Sequence, residues 1–328
     1  MSGLPPFPVS DHCDGHRFFN PAGLPPRSFS ALPKWWWQRL RGQGERWPKS
    51  VPLSRPVSLP ADIPAGSVAV TLIGHATFLL QFPGFTVLTD PVFARRAGPF
   101  GRFGPTRVRP PALALQELPP IDFVVLSHNH YDHLDISALR WLARERRPQI
   151  ITTLGNQSWL ERRGVTSVVE LDWWQPLLAH PELSVICTPA QHWSSRGPGD
   201  RNHTLWGGFM LKTPAGAVFF GGDSGWGSHF STIRVRLGPP GLSLLPIGAY
   251  EPRWFMEPVH MNPEEAVRAH LALGSRQSLG MHYGTWQLTD EGIDSPVAEL
   301  AVARETHRVS ESAFGTVEFG EPRLVTLA

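Results

Sequence analysis

The sequence predicts an α/β domain preceded by a proline-rich extension, and three observations carry that prediction. Short β-rich runs recur between turns from residue 67 onward, stretches of helical length fall between some of them, and residues 1–65 are rich in proline without any sustained period. At 328 residues the chain can bury one large core or two small ones. The preferred reading is one domain over residues 66–328, with residues 1–65 as a Pro/Trp-rich arm packed on it.

Taken in order, the arm comes first. Met1 to Ser10 carries three prolines and no basic segment followed by an apolar core, so no secretory leader is expected. The run Trp35-Trp36-Trp37-Gln38-Arg39-Leu40-Arg41 suits one short helix. Its rings either pack the arm onto the domain or touch lipid, because tryptophan favours the headgroup boundary and arginine attracts anionic lipid. Strands are expected at Ser67 to Ile73, Phe78 to Phe82, Thr86 to Thr89, Phe123 to Ser127, Ile150 to Thr153, Ser184 to Thr188, Ala217 to Phe220, Leu242 to Pro246 and Ser278 to Met281. Helices are expected at Ile136 to Arg146 and Pro263 to Leu273. The second is well punctuated: Asn262 can cap it, Pro263 suits the first helical position, Glu264 and Glu265 favour the positive end of the dipole, and Gly274 can end it. No repeat of fixed period occurs, which sets solenoids and propellers aside.

Composition narrows the function classes. A formal charge of +2 gives no long-range attraction to nucleic acid, so none is expected as a partner. The two cysteines, Cys13 and Cys187, stand alone, which suggests neither a disulfide framework nor a thiolate metal site. No run approaches the roughly 18 apolar residues of a spanning helix. A cytoplasmic protein, at most peripheral to a membrane, is therefore expected, and a homodimer is compatible with a sequence that does not specify assembly.

The segment that carries chemistry is Ile121 to His133. An apolar strand runs into a loop where His128, His130, Asp132 and His133 fall at offsets 0, 2, 4 and 5. Alternate residues point the same way and the adjacent pair points apart, so one loop can serve two ions. Imidazole with carboxylate and no thiolate suits zinc or a similar first-row ion in catalytic use. Other β-runs also end on candidate ligands: His192 after Ser184 to Thr188, Asp223 after Ala217 to Phe220, and His282 after Ser278 to Met281. Ligands in α/β architectures gather beyond the carboxyl ends of strands, which is a reason to bring these together.

The pattern His128-x-His130-x-Asp132-His133, followed by one His, one Asp and a final His, resembles the metallo-β-lactamase superfamily in order and spacing. Several stretches resemble, more narrowly, the N-acyl-phosphatidylethanolamine-hydrolysing phospholipases D: Gly74 to Thr77, Leu88 to Pro91, Ser127 to Leu134, Glu170 to Trp174, Gln191 to Trp193 and Ile247 to Met256. The likeness covers about Val68 to Trp286. It implies an αββα sandwich of two mixed sheets flanked by helices. It also implies two divalent ions, of which zinc is the first expectation. His128, His130 and His192 would hold one, Asp132, His133 and His282 the other, and Asp223 would bridge them. His260 matches a family histidine near the substrate. His75 and Asp90 read as residues that orient the ligands.

Two ions sharing a water would provide a hydroxide at neutral pH to attack phosphorus. With Asp132, Asp223 and His260 as the catalytic side chains, the expected reaction is phospholipase D-type hydrolysis of N-acyl-phosphatidylethanolamine, or a related phospholipid, to phosphatidic acid and N-acylethanolamine. Arg95, Arg96, Arg102, Arg107 and Arg109, interleaved with Phe93, Phe100 and Phe103, suit a surface meeting anionic headgroups and acyl chains or else a solvated loop. The rivals are a metal-dependent lactonase or other hydrolase with a small phosphorylated substrate, a nuclease, and a non-enzymatic metal- or lipid-binding protein.

Overall fold

Alternation along the strands sorts their side chains between two cores. In the computed structural model, which describes residues 6–22, 27, 29–42, 44–54 and 57–328, Val68, Val70 and Leu72 of β1 (Ser67–Gly74) enter one apolar cluster and Ile73 enters another. The same division runs through β2 (Thr77–Phe82), β3 (Phe85–Thr89) and β4 (Phe123–Leu126), where Phe78, Val87 and Val125 face one way and Leu79, Leu88 and Val124 the other. Both faces of these strands are therefore buried, which explains why they read as continuous apolar runs.

Two seven-stranded mixed sheets result. The first adds β5 (Gln149–Thr153), β6 (Val168–Leu171) and the C-terminal β14 (Arg323–Thr326) in the order β14-β1-β2-β3-β4-β5-β6. Its β14, β1, β2 and β3 pair antiparallel, and β3 to β6 pair parallel. The second runs β13-β12-β11-β10-β9-β8-β7, from β7 (Pro176–His180), β8 (Leu183–Thr188), β9 (Gly208–Thr213), β10 (Gly216–Phe220), β11 (Leu242–Pro246), β12 (Gln277–Met281) and β13 (Phe314–Gly315). Here β7 to β10 pair antiparallel, and β10 to β13 pair parallel. The larger core, with Phe78, Phe209, Phe219 and Phe220, lies between the sheets.

Helices cover the outer faces. α1 (Leu32–Leu40) belongs to the N-terminal arm, while α2 (Ile136–Glu145) and α3 (Gln157–Glu161) lay Leu139, Leu142 and Leu160 on the first sheet. α4 (His229–Leu237), the short α5 (Arg253–Met256), α6 (Pro263–Leu273) and α7 (Ser295–His307) belong to the second half, with α6 set against β11 between α4 and α7. The expected punctuation of α6 is present: the Asn262 side chain accepts from the Glu265 amide at 2.9 Å, Pro263 opens the helix, and Gly274 leaves it at φ 64°. This is the αββα sandwich of two mixed sheets flanked by helices.

The arm is tied down by named contacts. Cys13 and Phe18 are fully buried in the main core, and the two cysteines are free thiols. Trp35 donates its Nε1 hydrogen to Asp290 at 2.6 Å and stacks on Phe255 with ring centroids 5.2 Å apart. Trp36 and Trp37 point outward, 65% and 57% exposed. Among the described residues no helix is long and apolar enough to cross a membrane.

Candidate metal centre

The seven side chains singled out by spacing converge beyond the carboxyl ends of β4, β8, β10 and β12. His128, His130, Asp132 and His133 lie on the loop after β4, His192 follows β8, Asp223 follows β10 and His282 follows β12. Two groups form. His128, His130 and His192 bring one nitrogen each to a common point, with His128 Nε2 to His130 Nδ1 at 2.9 Å and His192 Nε2 to His130 Nδ1 at 3.2 Å. Asp132, His133 and His282 form the second, joined by His75. Asp223 sits between them: one oxygen lies 3.1 Å from both His133 Nε2 and His282 Nε2, 3.7 Å from His192 Nε2 and 3.9 Å from His128 Nε2.

Local backbone choices make this convergence possible. Gly222 has φ 56°, and a Cβ there would collide with Ser127 Cβ at 2.8 Å and the Gly207 carbonyl at 2.9 Å, so the chain reaches Asp223 only through glycine. His75 and His282, both at positive φ, are linked by a hydrogen bond from the His282 amide to the His75 carbonyl at 3.0 Å.

The imidazoles are oriented from behind. His133 Nδ1 lies 2.6 Å from Asp90, and Asp90 also accepts from the Ser127 amide and hydroxyl at 2.7 and 2.5 Å. Because that hydroxyl donates to Asp90, it accepts from His128 Nδ1 at 2.9 Å. His192 Nδ1 donates to the Val259 carbonyl at 3.0 Å. Each such bond places the proton on Nδ1 and turns the Nε2 lone pair toward the centre. His75 Nε2 stands 3.3 Å from Asp132.

Electrostatics agree with a cation-binding role. Burial pushes His130 and His75 down to about 3 and His192 down to about 4, and it holds His128 well below the usual imidazole range. Their rings are thus neutral at neutral pH, each with one nitrogen free of a proton. Burial would raise Asp223, but His133 and His282 outweigh it and hold the carboxyl well below its ordinary range. Burial likewise opposes a charge on His282, yet Asp223 and Asp132 lift it to about 9. Buried His133 Nε2, His282 Nε2 and Asp223 Oδ1 find no hydrogen-bond partner among the described residues. Orphaned donors and acceptors clustered this closely are costly unless a ligand satisfies them, and imidazole with carboxylate fits zinc or a similar first-row ion.

His260 joins the same site, its Nδ1 3.9 Å from Asp223 and without a hydrogen-bond partner among the described residues. His130, Asp132, Asp223 and His260 open onto a cavity of about 540 Å³. Its remaining wall is largely apolar, with Leu32 and Trp35 from α1 facing Phe255, Met256, Val259 and Leu288, while Arg27 and Arg201 add positive charge. Past β11, α5 lines the cavity with Phe255 and Met256, whereas Tyr250 is buried and donates to Glu299 at 2.6 Å. The arginine-rich loop divides. Arg107 turns inward to the Val92 carbonyl at 2.7 Å and Arg109 to the Gly284 carbonyl at 3.3 Å, while Arg95, Arg102, Phe100 and Phe103 are exposed.

Two contributors escaped the sequence reading. Ser127 joins Asp90 to His128, a link that its place directly before the first histidine could have suggested. Asn20, from the arm, holds the backbone of His192, and no local pattern marks it.

The profile of the beta-lactamase superfamily domain matches residues 86–283. N-acyl-phosphatidylethanolamine-hydrolyzing phospholipase D 1 of Caenorhabditis elegans is 40% identical over 266 residues, covering 76% of this chain and 74% of that protein. The mitochondrial N-acyl-phosphatidylethanolamine-hydrolyzing phospholipase D of Saccharomyces cerevisiae is 33% identical over 241 residues. That match covers 72% of this chain but only 51% of the yeast protein, so the chain spans about half the length of that relative. Among solved structures, the metallo hydrolase Igni18 of Ignicoccus hospitalis superposes with a TM-score of 0.60 at 22% identity, over 79% of this chain and 98% of that one, a likeness of fold alone.

Proposed function

This chain belongs to the metallo-β-lactamase superfamily and is a metal-dependent hydrolase; from that premise we propose that it is a phospholipase D-type phosphodiesterase acting on N-acyl-phosphatidylethanolamine or a close phospholipid. One observation carries the reading: a cluster of cation ligands opens onto a cavity whose opposite wall is apolar and whose lining includes arginines. An anionic phosphodiester flanked by acyl-bearing groups has that same division.

In this reading His128, His130 and His192 would hold one ion and Asp132, His133 and His282 the other, with Asp223 shared between the two groups. Bound there, two zinc-type ions supply activation of water at neutral pH and neutralisation of phosphoryl charge. The chain's own residues do the rest. Asp90, Ser127 and His75 fix the ligand side chains. Arg27 and Arg201 attract the anionic headgroup, and Leu32, Trp35, Phe255 and Leu288 take acyl carbons and exclude water. Burial keeps His260 neutral, so it is the side chain on hand to take a proton from the attacking water and pass it to the departing alkoxide oxygen. The relatives' names support this choice of substrate.

We also assign α1 to peripheral contact with lipid. Trp36, Trp37 and Leu40 stand out from the helix while Trp35 lines the cavity, so a single short helix joins the outer surface to the substrate wall. Purified protein, zinc-loaded or chelated, should be offered N-acyl-phosphatidylethanolamine, a simple phosphodiester and lactones. Phosphatidic acid and N-acylethanolamine should appear only with metal. Lactone turnover exceeding phosphodiester turnover by orders of magnitude would overturn the assignment.

A further inference from the structure

Most of the support behind the candidate centre comes from inside the sandwich, but the main chain of His192 is gripped from the arm. The Asn20 side-chain amide donates to the His192 carbonyl at 2.8 Å, and its oxygen accepts from the His192 amide at 3.2 Å. That oxygen also accepts from Trp206 Nε1 at 3.2 Å, and Trp206 is completely buried. One primary amide therefore satisfies both backbone groups of His192 and is itself wedged against a rigid ring. From the other side, the Gln191 amide donates to Ser224 Oγ at 2.9 Å and the Gly225 amide to the Gln191 carbonyl at 2.8 Å.

Asn20 is in turn held by the segment that precedes it. The Phe18 amide donates to the Asn202 carbonyl at 2.8 Å, the Phe19 amide to the His12 carbonyl at 2.9 Å, and the Phe18 ring is buried in the main core. Farther back, His12 Nε2 lies 2.8 Å from Asp172 and its ring stacks on Trp173 with centroids 4.3 Å apart. The segment is anchored at three points before it reaches His192.

We propose that Asn20 is a positioning residue for the His128, His130 and His192 group, so that the N-terminal arm is a working part of the centre. This rests on the reading of His192 as an ion ligand. With Nδ1 fixed on Val259 and the backbone fixed on Asn20, the ring keeps its lone pair aimed at its two partners. Loss of Asn20 frees the peptide while leaving the Asp132, His133 and His282 group untouched. Partners of this kind tune metal affinity by about 10- to 100-fold.

The test is a zinc titration of metal-free full-length protein against a chromophoric chelator, comparing wild type with Asn20→Ala and Asn20→Asp. Cobalt spectra of the same proteins read the geometry of each site. Wild type should bind two ions, and Asn20→Ala should weaken one of them by about 10- to 100-fold with the other unchanged. Far-UV circular dichroism and the melting temperature of the metal-free protein should stay near wild type. Asn20→Asp keeps the acceptor for the His192 amide but loses the donor to its carbonyl, and it should weaken the same ion. It carries the test should the alanine variant fail to fold. Unchanged affinity for both ions, or an equal fall in both, overturns the proposal. Wild-type protein that binds no zinc would instead remove the metal reading itself.

Discussion

His133 and Asp90 form a pair from which water is excluded on both sides: Nδ1 stands 2.6 Å from the carboxylate, and neither side chain has measurable solvent exposure. Burial raises the Asp90 carboxyl, while His133 and the Ser127 hydroxyl and amide draw it back toward the ionised form. The pair ties the end of β3 to the loop after β4. Asp90→Asn preserves the shape and an acceptor for the Ser127 amide but removes the charge that polarises His133. Metal affinity should fall by about 10- to 100-fold, read as metal retained after dialysis against graded chelator. Retention equal to wild type would refute the role given to Asp90.

Asp223 touches both groups through one oxygen. Asp223→Asn should therefore lose metal and abolish turnover, with the far-UV circular dichroism of the fold preserved. Elemental analysis and a lipid-hydrolysis assay on the same preparation check this. Full activity in the variant would exclude a bridging carboxylate.

Trp36 and Trp37 expose large apolar faces beside the cationic Arg39 and Arg41, and Arg41 stacks on Trp37 with its guanidinium 4.8 Å from the ring centre. Replacing both tryptophans by alanine should reduce sedimentation with anionic vesicles while leaving turnover of a short-chain soluble phosphodiester unchanged. Vesicle binding at the wild-type level would assign the exposed rings to some other purpose.

His12 provides a pH dependence with a definite sign. Burial disfavours its charge, but hydrogen bonds and attraction from Asp172 and Asp11 prevail and lift it above the ordinary imidazole value. A group raised on folding contributes fully below its unfolded value of about 6.5 and ceases to contribute as pH climbs through the raised one. The stability gap between wild type and His12→Gln should thus be widest below about pH 6.5 and narrow as pH climbs above it. Denaturant midpoints across that range give the answer, and a gap independent of pH would mean that His12 acts only by stacking on Trp173.

Much of the fold is legible because β1 to β5, β8 and β10 to β12 bury both faces and so leave continuous apolar runs in the sequence. β7 is missed because it is an edge strand with a partly exposed pattern, and β9 because it opens on Gly208 beside Gly207, a pair that resembles a turn. β13 and β14 are short. α4 and α7 lack a clean apolar stripe: in α7 only Pro296, Leu300 and Ala303 are buried. The ligand cluster is legible for a different reason, since four of its members share six residues and the others each end a strand. Asn20 is not, because its partner lies 172 positions away and an amide that grips a backbone leaves no trace in spacing.

Each of the two ligand-type side-chain groups draws on both halves of the sandwich. His128 and His130 come from the first sheet and His192 from the second, while Asp132 and His133 meet His282 across the same divide. A cation seated in either group would act as a rivet between two layers joined mainly by apolar contact. Ligand linkage at a hundredfold excess over its dissociation constant is worth about 2.7 kcal/mol per ion. Heat resistance of this protein should then follow the availability of metal in its surroundings, so that starvation for the ion would loosen the architecture as well as silence the chemistry.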